Sequence, residues 1–156
     1  TAATTITINS ANSTYWVPIT GPNGDIIAEI NANGQVLGAI TTSYYINSGG
    51  IRNKGNARYL DRNITITPEF QPTSIVKVRF YMTKAEYDAL DANPLSQISS
   101  ILDVRIHKNN DSCQSAIGST TSLIYPTFAE ARSNLGTITS YVLQADISSF
   151  SSFSSK

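Results

Sequence analysis

Between residues 75 and 82 the chain alternates without interruption: Val76, Val78, Phe80 and Met82 fall on one side, Lys77, Arg79 and Tyr81 on the other. That is the pattern of a strand that buries one face. It gives way at Thr83 to a helix start. Thr83 and Glu86 stand three residues apart, so the threonine hydroxyl can take the Glu86 amide while the Glu86 carboxylate takes the Thr83 amide, a capping box. The helix is predicted to end near Leu90. Upstream, residues 63–67 (NITIT) alternate as a second strand. Residues 68–73 carry two prolines, which donate nothing to a ladder, and so form either a broad hairpin or a connection between sheets.

The rest of the chain repeats the alternation more weakly. Residues 4–8 (TTITI) predict an edge strand, 15–19 a strand interrupted by Pro18, 25–30 (DIIAEI) another, and 35–47 one long or two short strands. Glycine, proline and asparagine cluster at 21–25 and 31–34, so the stretch from 15 to 47 reads as a meander of two hairpins. Residues 48–56 read as a surface loop and 57–60 as a short strand. After a polar connection over 91–100, with room for a further helical turn, residues 101–108 set Leu102, Val104 and Ile106 on one face and His107 on the other. A loop over 109–119 surrounds Cys113, a short strand follows at 122–125, and 126–136 has no clear period. Residues 137–148 are the last strong strand. Residues 149–155 (SFSSFSS) alternate loosely, which predicts weak pairing near a sheet edge. About eight to ten short strands, with one short helix near 83–90, predict an all-β fold: an antiparallel β-sandwich, immunoglobulin-like or jelly-roll-like.

Composition narrows the function. A chain of 156 residues fits a single domain, here expected to be excised from a larger protein,. Eleven basic and eleven acidic residues cancel to a net charge of zero, which removes the electrostatic footprint of a nucleic-acid or anionic-membrane binder,. Only 14% of residues are charged, so the polar surface comes from Ser, Thr, Asn and Gln, a composition that fits an extracellular module. No apolar run approaches the roughly 18 residues of a membrane span, and no basic segment followed by an apolar one opens the sequence, so neither span nor leader is expected within it. Cys113, the single cysteine, has no internal partner for a disulfide,.

The order GDIIAEINANGQVLG, then ARYLDRNITITPEFQPTSIVKVRFYMTKAEYDAL, then a cysteine in a polar loop, then YVLQADISSFSSF resembles a module that recurs in large secreted and cell-surface proteins of the Bacteroidota. That module usually lies just before the C-terminal sorting domain for type IX secretion. The resemblance covers residues 15–153; its most specific pieces are YLDRN at 59–63 and VRFYMT at 78–83 with Glu86 and Leu90. It implies an extracellular or outer-surface location, neighbouring domains in the same chain, and no catalytic activity. In the module the SFSSF run continues into further apolar residues, whereas here Ser154, Ser155 and Lys156 follow, so the last strand is expected to be clipped or the boundary to be that of an excised module. Asp111-Ser112-Cys113 resembles the acceptor pattern for O-linked glycans in this phylum, which makes Ser112 the candidate modification site.

Catalytic chemistry finds few parts. His107 is the only histidine, predicted to be solvated on the polar face of its strand, and no Gly-x-Ser-x-Gly elbow accompanies it,. Phosphate-binding and dinucleotide glycine patterns are absent. The carboxylates show no cluster; Glu86, Asp88 and Asp91 belong to helix capping and solvation. Arg62 and Arg79 are expected to pair with Asp61 or Asp103 across strands. Calcium is the one metal worth naming as a cofactor, with Asn31, Asn33, Asn109, Asn110 and Asp111 as oxygen donors in turns, although the dense Asp-x-Asp-x-Asp loop is missing. Tyr15 and Trp16 are adjacent, so one should face the core; Trp16 is expected there as an anchor, with sugar stacking as its alternative. The expected function is therefore a non-catalytic structural, adhesive or assembly module. Its partners would be neighbouring domains or other subunits, reached through a terminal strand, 4–8 or 147–153, at a sheet edge. The alternative is a carbohydrate-binding module that holds polysaccharide on Tyr15, Trp16, Tyr44, Tyr45, Tyr59 and Tyr81. Coplanar exposed rings in a groove would favour sugar; scattered rings would favour the structural role.

Overall fold

The computed structural model describes residues 3–46, 49–110 and 121–155. In chain order the strands are β1 (Ala3–Ile8), β2 (Val17–Thr20), β3 (Ile26–Asn31), β4 (Gly38–Ile46), β5 (Arg52–Lys54), β6 (Ala57–Tyr59), β7 (Arg62–Pro68), β8 (Val76–Thr83), β9 (Ile106–Asn109), β10 (Thr121–Ile124), β11 (Phe128–Asn134), β12 (Thr137–Ile147) and β13 (Ser152–Ser155). A helix, α1 (Lys84–Asp91), follows β8, and a 3₁₀ turn spans Ile101–Asp103. Two antiparallel sheets pack face to face as a β-sandwich. One has six strands in the order β1-β4-β7-β13-β9-β10, the other five in the order β11-β12-β8-β3-β2; β5 and β6 form a small hairpin beside them.

Burial on β8 follows its alternation. Val76, Val78, Phe80 and Met82 are buried while Lys77 is exposed. Ala28 and Ile30 of β3 and Tyr141, Leu143, Ala145 and Ile147 of β12 share the core face of this sheet. Ile8, Ile40, Ile66, Ile106 and Phe153 meet them from the six-stranded sheet in one continuous apolar cluster. The Phe80 and Phe153 rings, 5.0 Å apart between centroids, tie the layers together,. Thr83 caps α1 as expected: its hydroxyl accepts from Glu86 N at 3.2 Å and its own N–H donates to Glu86 Oε2 at 2.8 Å. The helix is held by the fully buried Leu90 and by Tyr87, whose ring lies 4.6 Å from that of Tyr141.

Of the two connections left open for 68–73, the sheet-crossing one is present, because β7 and β8 belong to different sheets. The expected meander is corrected: β2 and β3 form a hairpin, but residues 31–34 carry the chain into the other layer. Ala32 and Leu37, on either side of this corner, are both fully buried, which a turn within one sheet would not achieve. Asn33 and Gly34 make the corner with φ of +51° and +85°, and Asn33 Nδ2 donates to Ile75 O at 2.9 Å,. The strand expected over 101–108 starts late. Asp103 gathers the N–H groups of Ser99 and Ser100 at 3.0 and 2.9 Å, local bonds that favour the 3₁₀ turn and leave Leu102 exposed,. The unassigned stretch 126–136 contains β11, joined to β12 through Leu135 and Gly136 with φ of +50° and +81°, a two-residue hairpin turn with leucine where asparagine is usual,. The loop expected at 48–56 contains β5. At the chain ends, β1 is, among the described strands, an edge strand paired only with β4, whereas β13 lies between β7 and β9, contrary to the edge position expected of 149–155. The cause is burial of Phe150 and Phe153.

Candidate functional site

Residues of the five-stranded sheet that do not enter the core line up on its outer face. Strand register fixes one row across all five strands: Pro18 opposite Glu29, Glu29 opposite Arg79, Arg79 opposite Gln144, and Gln144 opposite Phe128. Cross-strand neighbours stand about 5 Å apart at Cβ, near enough for their side chains to bond. Arg79 Nε donates to Gln144 Oε1 at 3.1 Å, and an Arg79 Nη1 lies 3.9 Å from Glu29 Oε1. Tyr81, two positions along β8, donates its hydroxyl to the same Glu29 oxygen. Burial pushes the Tyr81 hydroxyl pKa above its ordinary value, and the Glu29 carboxylate raises it further,.

Trp16 completes the cluster. Its ring lies 3.8 Å from Arg79 Cζ, a cation–π contact,. This corrects its expected place in the core: Val17 and Ile19 point towards the interior, so by strand alternation Trp16 and Pro18 point outward,. Pro18 is tolerated because β2 is an edge strand,. The resulting group of Trp16, Glu29, Arg79, Tyr81 and Gln144 is half-buried and bonded to itself. Its one carboxylate accepts from the Tyr81 hydroxyl and lies near the Arg79 guanidinium, so the group holds the parts for recognition or for bracing the sheet,.

A second feature lies beside α1, where a cavity of about 230 Å³ is lined by Gly50, Ile51, Leu60, Arg62, Glu86 and Ala89, among others. Its charges are engaged. Arg62 Nη1 meets Glu86 Oε1 and Oε2 at 3.0 and 2.9 Å, and Arg62 also donates to Tyr81 O. The expected pairing of Arg62 and Arg79 with Asp61 or Asp103 is thus corrected. Asp61 takes Arg52 at 3.0 Å, and the Ser99 and Ser100 donors around Asp103 hold its carboxyl below the usual range.

The six candidate aromatics do not converge. Trp16 and Tyr81 share the outer-face cluster, and Tyr15 is exposed next to it in sequence. Tyr44 and Tyr45 stand on β4 of the other sheet, Tyr44 half-buried with its hydroxyl enclosed. Tyr59 is buried, 4% exposed, in the β5–β6 hairpin under Arg52, so its ring offers no open face. The ring–ring contacts among the described residues, Phe80 with Phe153 and Tyr87 with Tyr141, involve none of the six.

His107 is buried, 7% exposed, because β9 is flanked by β10 and β13; the expectation of a solvated histidine is corrected. The calcium donors are also differently placed. Asn31 and Asn33 use their side chains on the inter-sheet corner, accepting from Asn33 N at 3.0 Å and donating to Thr14 O at 3.2 Å and to Ile75 O at 2.9 Å. Asn109 is a buried strand residue, not a loop residue, while Asn110 is exposed. Asp111, Ser112 and Cys113 lie outside the described residues. Among the described residues no three His, Cys, Asp or Glu side chains gather as metal ligands do, and no helix is long and apolar enough to cross a membrane.

Glu29 and Gln144 were absent from the sequence-based candidates. Alternation in 25–30 and 137–148 places each on a polar face, but only the pairing of β3 and β12 with β8 brings both to Arg79. No family model, no curated protein and no solved structure matches this chain.

Proposed function

We propose that the chain is a non-catalytic structural and assembly module of a secreted or cell-surface protein. The observation that supports this best is the self-bonded outer face: Arg79 bonds Gln144, lies near Glu29 and stacks on Trp16, and Tyr81 bonds Glu29, so polar groups that would otherwise meet a substrate instead brace three adjacent strands. The low charge and the Ser-, Thr- and Asn-rich surface fit an extracellular setting, as does the resemblance to the Bacteroidota module. A panel of chromogenic ester, peptide and glycoside substrates tests the first half of the proposal. No turnover above buffer is expected; turnover abolished by Glu29→Gln or His107→Ala would overturn it.

One observation favours a second reading, carbohydrate binding: Trp16 is partly exposed on a sheet face, with its ring against the Arg79 guanidinium. Trp16 is the only tryptophan, so its fluorescence reports on this surface directly. A saturable change on titrating soluble glycans, lost in Arg79→Ala, would favour sugar binding. A flat response across the panel would favour the structural role.

A further inference from the structure

Four strands end the two sheets, and three of them carry devices that discourage another strand from pairing. β2 contains Pro18 and a register shift between Ile19 and Thr20. β11 has a register shift between Arg132 and Ser133 and an ion pair of Arg132 with Glu130 at 2.7 Å. β10 is four residues long, with Pro126 soon after it. β1 has none of these: it is six residues without charge, proline or bulge.

The unused side of β1 is also defined. Ala39 turns its backbone towards β7, with its N–H donating to Glu69 Oε2 at 3.0 Å and its carbonyl accepting from Glu69 N at 2.8 Å. Thr7 is directly opposite Ala39, and opposite residues of an antiparallel pair either both face one another or both face away,. The Thr7 backbone therefore points off the sheet edge, and by alternation so do those of Thr5 and Ala3. Asn12 Nδ2 meets Thr7 O at 2.9 Å and closes one end of this row. Among the described residues, none engages the Thr5 N–H and C=O or the Thr7 N–H.

We infer that β1 pairs antiparallel with β1 of a second copy of this chain, joining two six-stranded sheets edge to edge. The inference rests on the assembly role proposed above and names its surface and partner. A second copy fits because the row is self-complementary. With Thr5 opposite its counterpart, Thr7 meets the other chain's Ala3 and Ile6 its Thr4, so outward backbones face outward backbones and core-facing side chains keep their face. A two-fold contact sets any charge near that of its own kind, and the strand has no charge to repel its copy.

Sedimentation of the whole chain from about 10 μM to about 1 mM tests this, the range suited to so small an interface. Wild type is expected to shift from monomer towards dimer. The Thr5 side chain is exposed, so Thr5→Lys and Thr5→Glu should keep the melting temperature while each raises the dimer dissociation constant at least about tenfold,. Mixing the two variants should restore a dimer through opposite charges across the axis. A wild type that stays monomeric to 1 mM, a dimer indifferent to both substitutions, or a mixture that fails to reassociate would each overturn the inference. None of these results bears on the absence of turnover, which the substrate panel tests separately.

Discussion

The two ends of the chain each give a strand to the six-stranded sheet, and the stronger strand former takes the weaker position. β1 is six residues, Ala3 and Thr4 followed by alternating threonine and isoleucine, yet among the described strands it lies outermost, paired with β4. β13 is four residues of serine and phenylalanine, yet it lies between β7 and β9. β-Propensity therefore does not choose the place of a strand here; what it can bury does. Phe153 reaches across the interior to Phe80. The serines are small enough for a site closed on both sides, and Ser152 shares a hydrogen bond with Thr65 of β7. From Thr4 to Ile8 only Ile8 is fully buried, and Thr5 and Thr7 face outward.

The largest expected effect follows from that contrast. Deleting residues 149–156 removes the strand on which β7 and β9 both pair, together with Phe150 and Phe153, so the truncated chain should lose its cooperative unfolding transition. A truncated chain that still melts cooperatively would show that the core forms without β13. Phe153→Ala, which leaves the strand in place, should cost about 3–5 kcal/mol in denaturant unfolding because the ring is 2% exposed,. Phe80→Ala should cost a similar amount. A double-mutant cycle sharpens the point: the two rings should couple by about 0.5–1.5 kcal/mol, the usual size for a tilted aromatic pair. Zero coupling would mean that each ring is held by its own layer alone.

The same contrast separates what could be read along the chain from what could not. β8 and α1 were legible because their signals are local: a two-residue period, then a threonine and a glutamate three apart. β13 was not, because SFSSF has a weak period and its reason for being central, Phe80, lies some seventy residues away in sequence. The outer-face row was half legible. Arg79 and Tyr81 are visibly on a polar face, but the alignment of Pro18, Glu29, Gln144 and Phe128 with them is set by strand order, which no single segment carries. Trp16 was misplaced because its parity depends on β2 beginning at Val17, and a run of Tyr-Trp-Val-Pro-Ile offers apolar residues in both phases. The β11–β12 turn was hidden by Leu135, which adopts a left-handed backbone without the asparagine or glycine that would announce it.

A smaller effect involves pH. Lys108, beside β13 on β9, is almost fully buried, and its ammonium donates to Ser149 Oγ. Burial holds its pKa below 10.5. Between the lowered folded value and 10.5 the unfolded chain binds more protons, so this group makes stability rise with pH across that window. Tyr81 acts oppositely above pH 10.0, where its raised folded value makes the native state retain the proton. Comparing Lys108→Met with wild type cancels the tyrosine contribution. The advantage of the methionine variant should be largest at neutral pH and shrink as the pH approaches 10.5; an advantage constant with pH would show that Lys108 is no less solvated in the folded chain.

The smallest effect belongs to β1 and follows from its register. Because the Thr5 side chain is exposed and its backbone points off the sheet edge, Thr5→Ala removes neither a core contact nor a ladder bond to β4. At low protein concentration, where any pairing between copies is absent, the change should stay within about 0.5 kcal/mol. Ile8→Ala, three residues on in the same strand but fully buried, should cost about 2–5 kcal/mol,. The ratio between these two substitutions measures how far β1 contributes through its inward side chains alone. If Thr5→Ala proved as costly as Ile8→Ala in the monomer, the free edge assigned to β1 would have to be covered by the chain itself, and the difference between the two terminal strands would lie in their neighbours on both sides, not in an open edge.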